Sequence, residues 1–381
     1  MYDRTWRRFL FLFVCLFISI LLMIGCQKVE KESGLQPETM HSKTLHKETI
    51  PPSYAGFNVR APIQMERGQF NTVSGWLNNE TIIYVTNIGL GSNVYTYHIF
   101  TGESKLIYES EAPVASVYTS PSGKRILVYT VPTTYEGVIS ILDQDGKEIM
   151  TERLEVFDLT IEWNPYDENL LLISSFKENW DFSTFQLNID EKKLVEVQLK
   201  EPFAYWVAKD ELIYLDWSIQ DPSLFAPLMK KSIFKTDEKK VLDDIFHVKT
   251  IKGIIMTITV TSDKMGEAKY SFQSNDFRKL ADFSIPHLTR FSDWLVPYFD
   301  FDERNHFYSF QPLFSTDADT YTEGFQLFSF DLVKGEKTAI FEVLQNEPLS
   351  CSPNGKHCLY GFYFEKLINV DTKQMIQLVK E

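Results

Sequence analysis

The chain of 381 residues lacks the short signatures that announce an enzyme. There is no GxSxG, so the nucleophile elbow of the hydrolases that accompany some repeat proteins is not encoded, and the chain has no room for such a domain. HExxH and the phosphate-cradling GxxxxGK[ST] are missing as well, and the seven histidines are scattered without close metal-ligand spacing. His306 beside Asp300, Asp302 and Glu303 invites a metal reading, but an acidic loop between strands is the simpler account, and neither metal nor cofactor is expected. Basic charge is also short: 38 Lys and Arg stand against 52 Asp and Glu, a formal charge of −14 with no basic stripe. Phosphate backbones require such a stripe, which argues against nucleic acid as a partner.

Cysteine is sparse, with four in all. Cys15 falls inside an N-terminal apolar run and Cys26 ends it, leaving Cys351 and Cys358 on either side of Ser-Pro-Asn-Gly-Lys-His. With Asn354-Gly355 as a two-residue turn these two face each other in a hairpin; with Gly355 as a bulge residue the register shifts. A disulfide and two buried small hydrophobes are both open.

Arg4, Arg7 and Arg8 precede the run from Phe9 to Ile24, which is short for a membrane span and suits a signal-peptide core. Met23-Ile24-Gly25-Cys26 then resembles the lipobox of bacterial lipoproteins. That resemblance implies cleavage before Cys26, a lipid on its sulfur, and residence on the outer face of a cell membrane of Gram-positive type. Residues 26–53 read as a polar tether, and about 26 flexible residues span roughly 25–30 Å.

After Pro52 helical periodicity is missing. Apolar residues alternate or clump in short runs, and aromatics reach 14%, led by 30 Phe and 18 Tyr, which suits pleated, half-buried surfaces. SPSGKRILVY at Ser120 returns as SPNGKHCLYG at Ser352, and related turns precede apolar strands at Trp76, Trp163, Trp206, Thr250 and Asp293. These anchors recur every 43 or 44 residues, except for one interval of 59. Each unit holds four strands, which predicts an all-β fold: a seven-bladed β-propeller of four-stranded antiparallel blades over 54–381, with six or eight blades the alternatives. Asn58 to Ile63 is expected to add an outer closing strand, and Trp76, Trp163, Trp206 and Trp294 are expected as wedges between blades.

The turns at Ser120 to Lys124, Trp163 to Asp167 and Ser352 to Lys356 resemble the repeat of TolB-like and tricorn-like propellers. Taken whole, the chain is similar to the YqgU family of lipoproteins from Bacillus and its relatives, which implies a lipid-anchored propeller in a Gram-positive envelope and no particular ligand.

The long interval places extra residues at 299–324, and insertions in repeats often map to binding loops. Phe307, Tyr308, Phe310, Phe314 and Tyr321 interleaved with Asp317, Asp319 and Glu323 form the candidate recognition loop, and 217–228 a second one. Three function classes follow. The first is a membrane-anchored binding or scaffolding module for an envelope protein or peptide. The second is a small-molecule or carbohydrate site in the central channel. The third is a hydrolase or lyase with acidic residues at the axis.

Overall fold

The computed structural model describes residues 58–380, apart from 219, 221–222, 261–265 and 291–292. They lie in the compact unit Ile50–Glu381. The expected leader 1–25, the lipid site Cys26 and the tether 26–53 fall outside the described residues.

Seven four-stranded antiparallel sheets and one three-stranded sheet account for the strands among the described residues. We number the four-stranded sheets 1 to 7: residues 69–110, 114–155, 158–197, 204–245, 247–286, 299–344 and 349–377. Within each, spatial order follows chain order. Second strands are continuous, mainly apolar runs, such as Ile82 to Val85, Leu170 to Ile173 and Phe307 to Phe310, buried without alternation. Such a run marks a strand covered on both sides. Fourth strands such as Glu148–Glu155 alternate instead between exposed and partly or fully buried positions, because one side meets water.

What covers each sheet is its neighbour. Ile83 and Val85 of sheet 1 pack with Val128 and Leu142 of sheet 2, and Leu127 and Ile139 with Leu171 and Ile173 of sheet 3. The series continues through Leu172 against Trp206, Ile213 against Val248 and Ile255, and Met256 and Phe272 against Phe307 and Phe328. Phe310 and Leu327 then meet Cys358 and Tyr360 of sheet 7. Finally Leu359 and Leu367 of sheet 7 pack on Ile82 and Tyr84 of sheet 1, and the ring closes. Contacts between the first strands of adjacent sheets place those strands innermost. Closure leaves every sheet covered on both faces by a neighbour and only short outer edges exposed, and each buried aromatic ring contributes about 2–3 kcal/mol.

The repeated Ser-Pro-x-Gly-Lys turn has a packing reason. The buried hydroxyls of Ser120 and Ser352 accept the backbone N–H of Arg125 and His357, each at 3.2 Å. Gly123 and Gly355 adopt φ of 68° and 62°, the left-handed region that favours glycine. A Cβ at Gly123 would strike the Leu77 carbonyl of sheet 1, and one at Gly355 would strike Asp302 and Tyr308 of sheet 6. Each turn therefore seats against the turn of the preceding sheet.

The sixth unit differs from the sequence expectation. Asp293 lies in the three-stranded sheet Leu288–Arg290, Asp293–Leu295 and Thr316–Asp317, not in a four-stranded one. The turn that opens sheet 6 is Asp302 to Asn305, where Asp302 Oδ1 accepts the N–H of Arg304 and of His306 at 2.8 Å. First strands end at Trp76, Thr119, Trp163, Ala208, Ile251, Phe301 and Cys351, so the single long interval becomes two moderately long ones. Trp294 accordingly packs on Phe225 and Phe246 rather than between sheets 5 and 6. The segment 58–63 adds no strand. It bridges the seam instead, with Arg60 N–H bonded to Ile99 O and Ile63 N–H to Leu378 O, each at 2.7 Å.

Candidate functional site

Strand direction sorts the connections between two faces. Turns from first to second and from third to fourth strands lie at one end of every sheet. Those from second to third strands, and from each sheet to the next, lie at the other. The first end, the turn face, is bonded around the ring: Trp76 Nε1 donates to Ser350 O, Thr119 Oγ1 to Trp76 O, Asn164 Nδ2 to Lys209 O and Asn354 N to Asn79 Oδ1. Tyr166 reaches across sheet 4, its hydroxyl accepting Gly253 N–H at 3.0 Å and Asn275 Nδ2 at 2.7 Å. The opposite end, the loop face, carries the long connections and the three-stranded sheet.

Exposed rings follow the same division. Tyr135, Phe157, Trp180, Phe203, Trp217, Tyr298, Phe314, Phe362 and Tyr363 all belong to loop-face connections, whereas Phe234 stands on the turn face and Tyr118 in an inner strand. Apolar surface collected on one side is what an interaction face requires. Five rings form a row over sheets 2 to 4: Tyr135, Phe157, Trp180, Phe176 and Phe203, with successive centroids 5.9–6.5 Å apart. Backbone bonds hold the row, Val156 N–H to Tyr135 O and Phe157 N–H to Phe176 O. The Tyr135 hydroxyl donates to Glu178 at 3.2 Å, and this bond raises its pKa. Beside it an open hollow of about 540 Å³ is lined by Tyr135, Glu136, Arg153, Leu154 and Glu155.

A second arrangement lies at the inner strands. Lys249 of sheet 5 pairs with Glu162 of sheet 3 at 2.7 Å and stands 4.6 Å above the ring of Tyr205 in sheet 4. Asp300 of sheet 6 accepts the Cys351 N–H of sheet 7 at 2.6 Å. Burial pushes the Asp300 carboxyl up to about 7, against the N–H groups of Cys351 and Phe301. Burial also pulls His247, on the same strand as Lys249, down to about 4. Four inner strands thus deliver an ion pair, a phenol and a carboxyl that ionises near neutrality.

The candidate loop divides. Phe307, Tyr308 and Phe310 are buried core residues of the second strand of sheet 6, because that strand is covered by sheets 5 and 7. They are not available to a ligand. Phe314, Asp317, Asp319 and Glu323 are exposed in the connection that follows, and Tyr321 is half-buried. There Phe314 packs edge-on against Tyr321 at 5.5 Å, Tyr321 donates to Gly324 O, and Asp317 Oδ1 accepts Asp319 N–H at 2.8 Å. In 217–228, Trp217 and Leu224 are exposed, Ala226 and Leu228 are core, and the Asp221-Pro222 turn lies outside the described residues.

Asp302 and Asp300 point to different tasks. Asp302 is buried and takes bonds from His306 Nδ1 at 2.9 Å and Tyr308 Oη at 3.0 Å besides its two N–H groups, so it caps a turn. Cys351 and Cys358 are joined as a disulfide between directly paired residues, with Cα atoms 3.9 Å apart.

The aromatic row was missed in the sequence because its members come from separate loops. A signal was available: Trp180 in Lys-Glu-Asn-Trp-Asp is a bulky ring at a polar tip.

Comparisons with known proteins support the propeller fold class. The chain is 27% identical over 374 residues to the uncharacterized lipoprotein YqgU of Bacillus subtilis, covering 97% of this chain and 98% of that one. A stretch of 108 residues is 26% identical to the Tol-Pal system protein TolB of Wolinella succinogenes, covering 28% of this chain and 26% of that protein. The crystal structure of the uncharacterized protein lmo1340 from Listeria monocytogenes superposes with a TM-score of 0.78 at 21% identity, covering 84% of this chain and 98% of that one. The family model described as the YqgU-like 6-bladed beta propeller domain matches residues 98–361, more than half of the chain, and the chain belongs to that family.

Proposed function

We propose that the protein is a lipid-anchored binding module of the cell envelope, whose loop face docks an envelope protein or peptide. The observation that carries this reading is the gathering of exposed rings on the loop face, opposite a turn face occupied with holding the ring together. We count the seven four-stranded sheets as seven blades and the three-stranded sheet as a loop-face elaboration. The matched range 98–361 begins at the last residue of the third strand of sheet 1 and stops within sheet 7, so a six-blade description leaves parts of both outside. Lipidation at Cys26, the tether 26–53 and a place on the outer face of a Gram-positive membrane rest on the lipobox, and the name of the Bacillus subtilis relative supports them.

The test is photocrosslinking in cells of the full-length chain. A crosslinker at Phe203 or Phe314 on the loop face is compared with one at Lys124 or Phe234 on the turn face. Capture of one envelope protein from the loop-face positions alone is expected. Equal capture from both faces, or capture from the turn face alone, refutes the reading.

The inner-strand group supports a second reading, a small polar ligand in the channel. A rise in thermal midpoint with soluble cell-wall fragments, lost in Lys249→Met, would favour it.

A further inference from the structure

The row Tyr135, Phe157, Trp180, Phe176 and Phe203 says more about its occupant than that it is apolar. Trp180 is 66% exposed, yet its backbone sits at φ 66°, a conformation that bulky side chains rarely adopt. Its turn is fixed by Trp180 N–H to Lys177 O at 2.9 Å, Lys177 N–H to Asp181 O at 2.8 Å and Asn179 Nδ2 to Asp181 Oδ2 at 2.8 Å. An indole held out into water in a strained turn contributes little to the fold, and strain of this kind collects at functional positions.

Two further observations define the partner. Successive rings are tilted by 41°, 82°, 65° and 32°, so they form crevices rather than the flat platform on which sugar rings stack. The charge around them is negative. Glu136, Glu155, Asp158, Glu178, Asp181 and Glu201 belong to the same connections or their flanks, against Arg153, Lys177 and Lys200. Two of these cations are already engaged, Arg153 with Glu136 at 2.5 Å and Lys200 with Glu238. Ring faces bordered by carboxylates attract ammonium and guanidinium groups, and in the open hollow beside Tyr135 the carboxylate of Glu155 stands next to the Arg153–Glu136 pair.

We propose that this row binds an extended polypeptide segment bearing Lys or Arg, with a cationic side chain against Trp180. The proposal rests on the reading of the loop face as a protein-docking surface and adds the chemistry of the docked segment. Five rings spaced about 6 Å apart match at most roughly seven extended residues.

The experiment is calorimetric titration of the full-length chain in detergent with three probes: an octapeptide alternating Arg and Gly, the same peptide with citrulline for Arg, and chitohexaose. The Arg peptide is expected to bind at least tenfold more tightly than its uncharged isostere, and more weakly as salt is raised. Trp180→Gly is expected to lose at least tenfold in affinity with an unchanged or higher thermal midpoint, since glycine relieves the strained φ. Equal affinity for the Arg and citrulline peptides, binding of chitohexaose alone, no binding at all, or undiminished binding by the variant would each overturn the proposal. In-cell crosslinking separates the levels. If Trp180→Gly abolishes capture while no peptide binds, the cationic chemistry falls and the docking face stands. If capture is unaffected and no peptide binds, the row is not the docking surface.

Discussion

Replacing Asp300 by asparagine should make the protein more stable at pH 8 and leave it unchanged at pH 4. In the folded ring this carboxyl is pushed up to about 7 by burial, with Asp302 adding to the rise and Lys249 opposing it; its ordinary value is 3.8. Between those values the folded chain retains a proton that the unfolded chain has released. Stability therefore falls as pH rises from about 4 to about 7, and the loss is complete above that. At 1.36 kcal/mol per unit a dry site would lose roughly 4 kcal/mol. The group is not dry: the neighbouring Lys249 and Glu162 side chains are 35% and 33% exposed. Solvent screening reduces the figure to about 2 kcal/mol. Asparagine never ionises and keeps an oxygen for the Cys351 N–H. His247 works in the opposite direction, losing stability as pH falls from 6.5 towards about 4, but it is present in both proteins and cancels in the difference. Urea unfolding of wild type and Asp300→Asn at pH 4, 6, 7 and 8 reads the effect. A difference that does not change with pH would show that Asp300 titrates as an ordinary carboxyl and would refute the reasoning.

Phe310→Ala should cost about 3–5 kcal/mol in urea unfolding, because the ring is fully buried, whereas Phe314→Ala, half exposed, should cost under about 0.5 kcal/mol. Gly123→Ala should destabilise by about 2–3 kcal/mol, since it meets both a positive φ and the Leu77 carbonyl. Gly253→Ala shares the positive φ but faces open space, and should cost only about 1 kcal/mol; thermal midpoints of the pair separate strain from packing. Reducing the Cys351–Cys358 bond, which closes a loop with a sequence separation of 7, should lower stability by about 2 kcal/mol in chain entropy. A denaturation midpoint unmoved by reductant would contradict it.

Most of the ring was legible because one turn chemistry repeats. A buried Ser, Asn or Asp that caps its own turn, followed by an apolar run, marks Ser120, Asn164, Asp302 and Ser352 alike. The sixth unit was misplaced because Asp302 hides among other acidic residues and because His306–Pro312, buried on both sides, shows no alternation to distinguish a strand from an aromatic-rich loop. The sites were less legible. Asp300, Lys249, Glu162 and Tyr205 come from inner strands of four sheets, and their meeting is a property of closure, not of spacing along the chain. Trp180 is visible as a residue but not as an exposed one, since solvent exposure at a turn tip depends on the neighbouring loops.

The seam between the first and last sheets also has a mechanical meaning. The segment 58–63 ahead of the first strand does not hang from an edge: Arg60 is bonded to Ile99 at 2.7 Å and held through its carbonyl by the Tyr97 hydroxyl at 2.6 Å, and Ile63 is bonded to Leu378 of the far end of the chain. Any pull arriving along the preceding polypeptide is therefore applied at the joint where the circle closes. The rivets carrying that load join both sides of the joint, so tension is shared between the first and last sheets rather than peeling one away from the other.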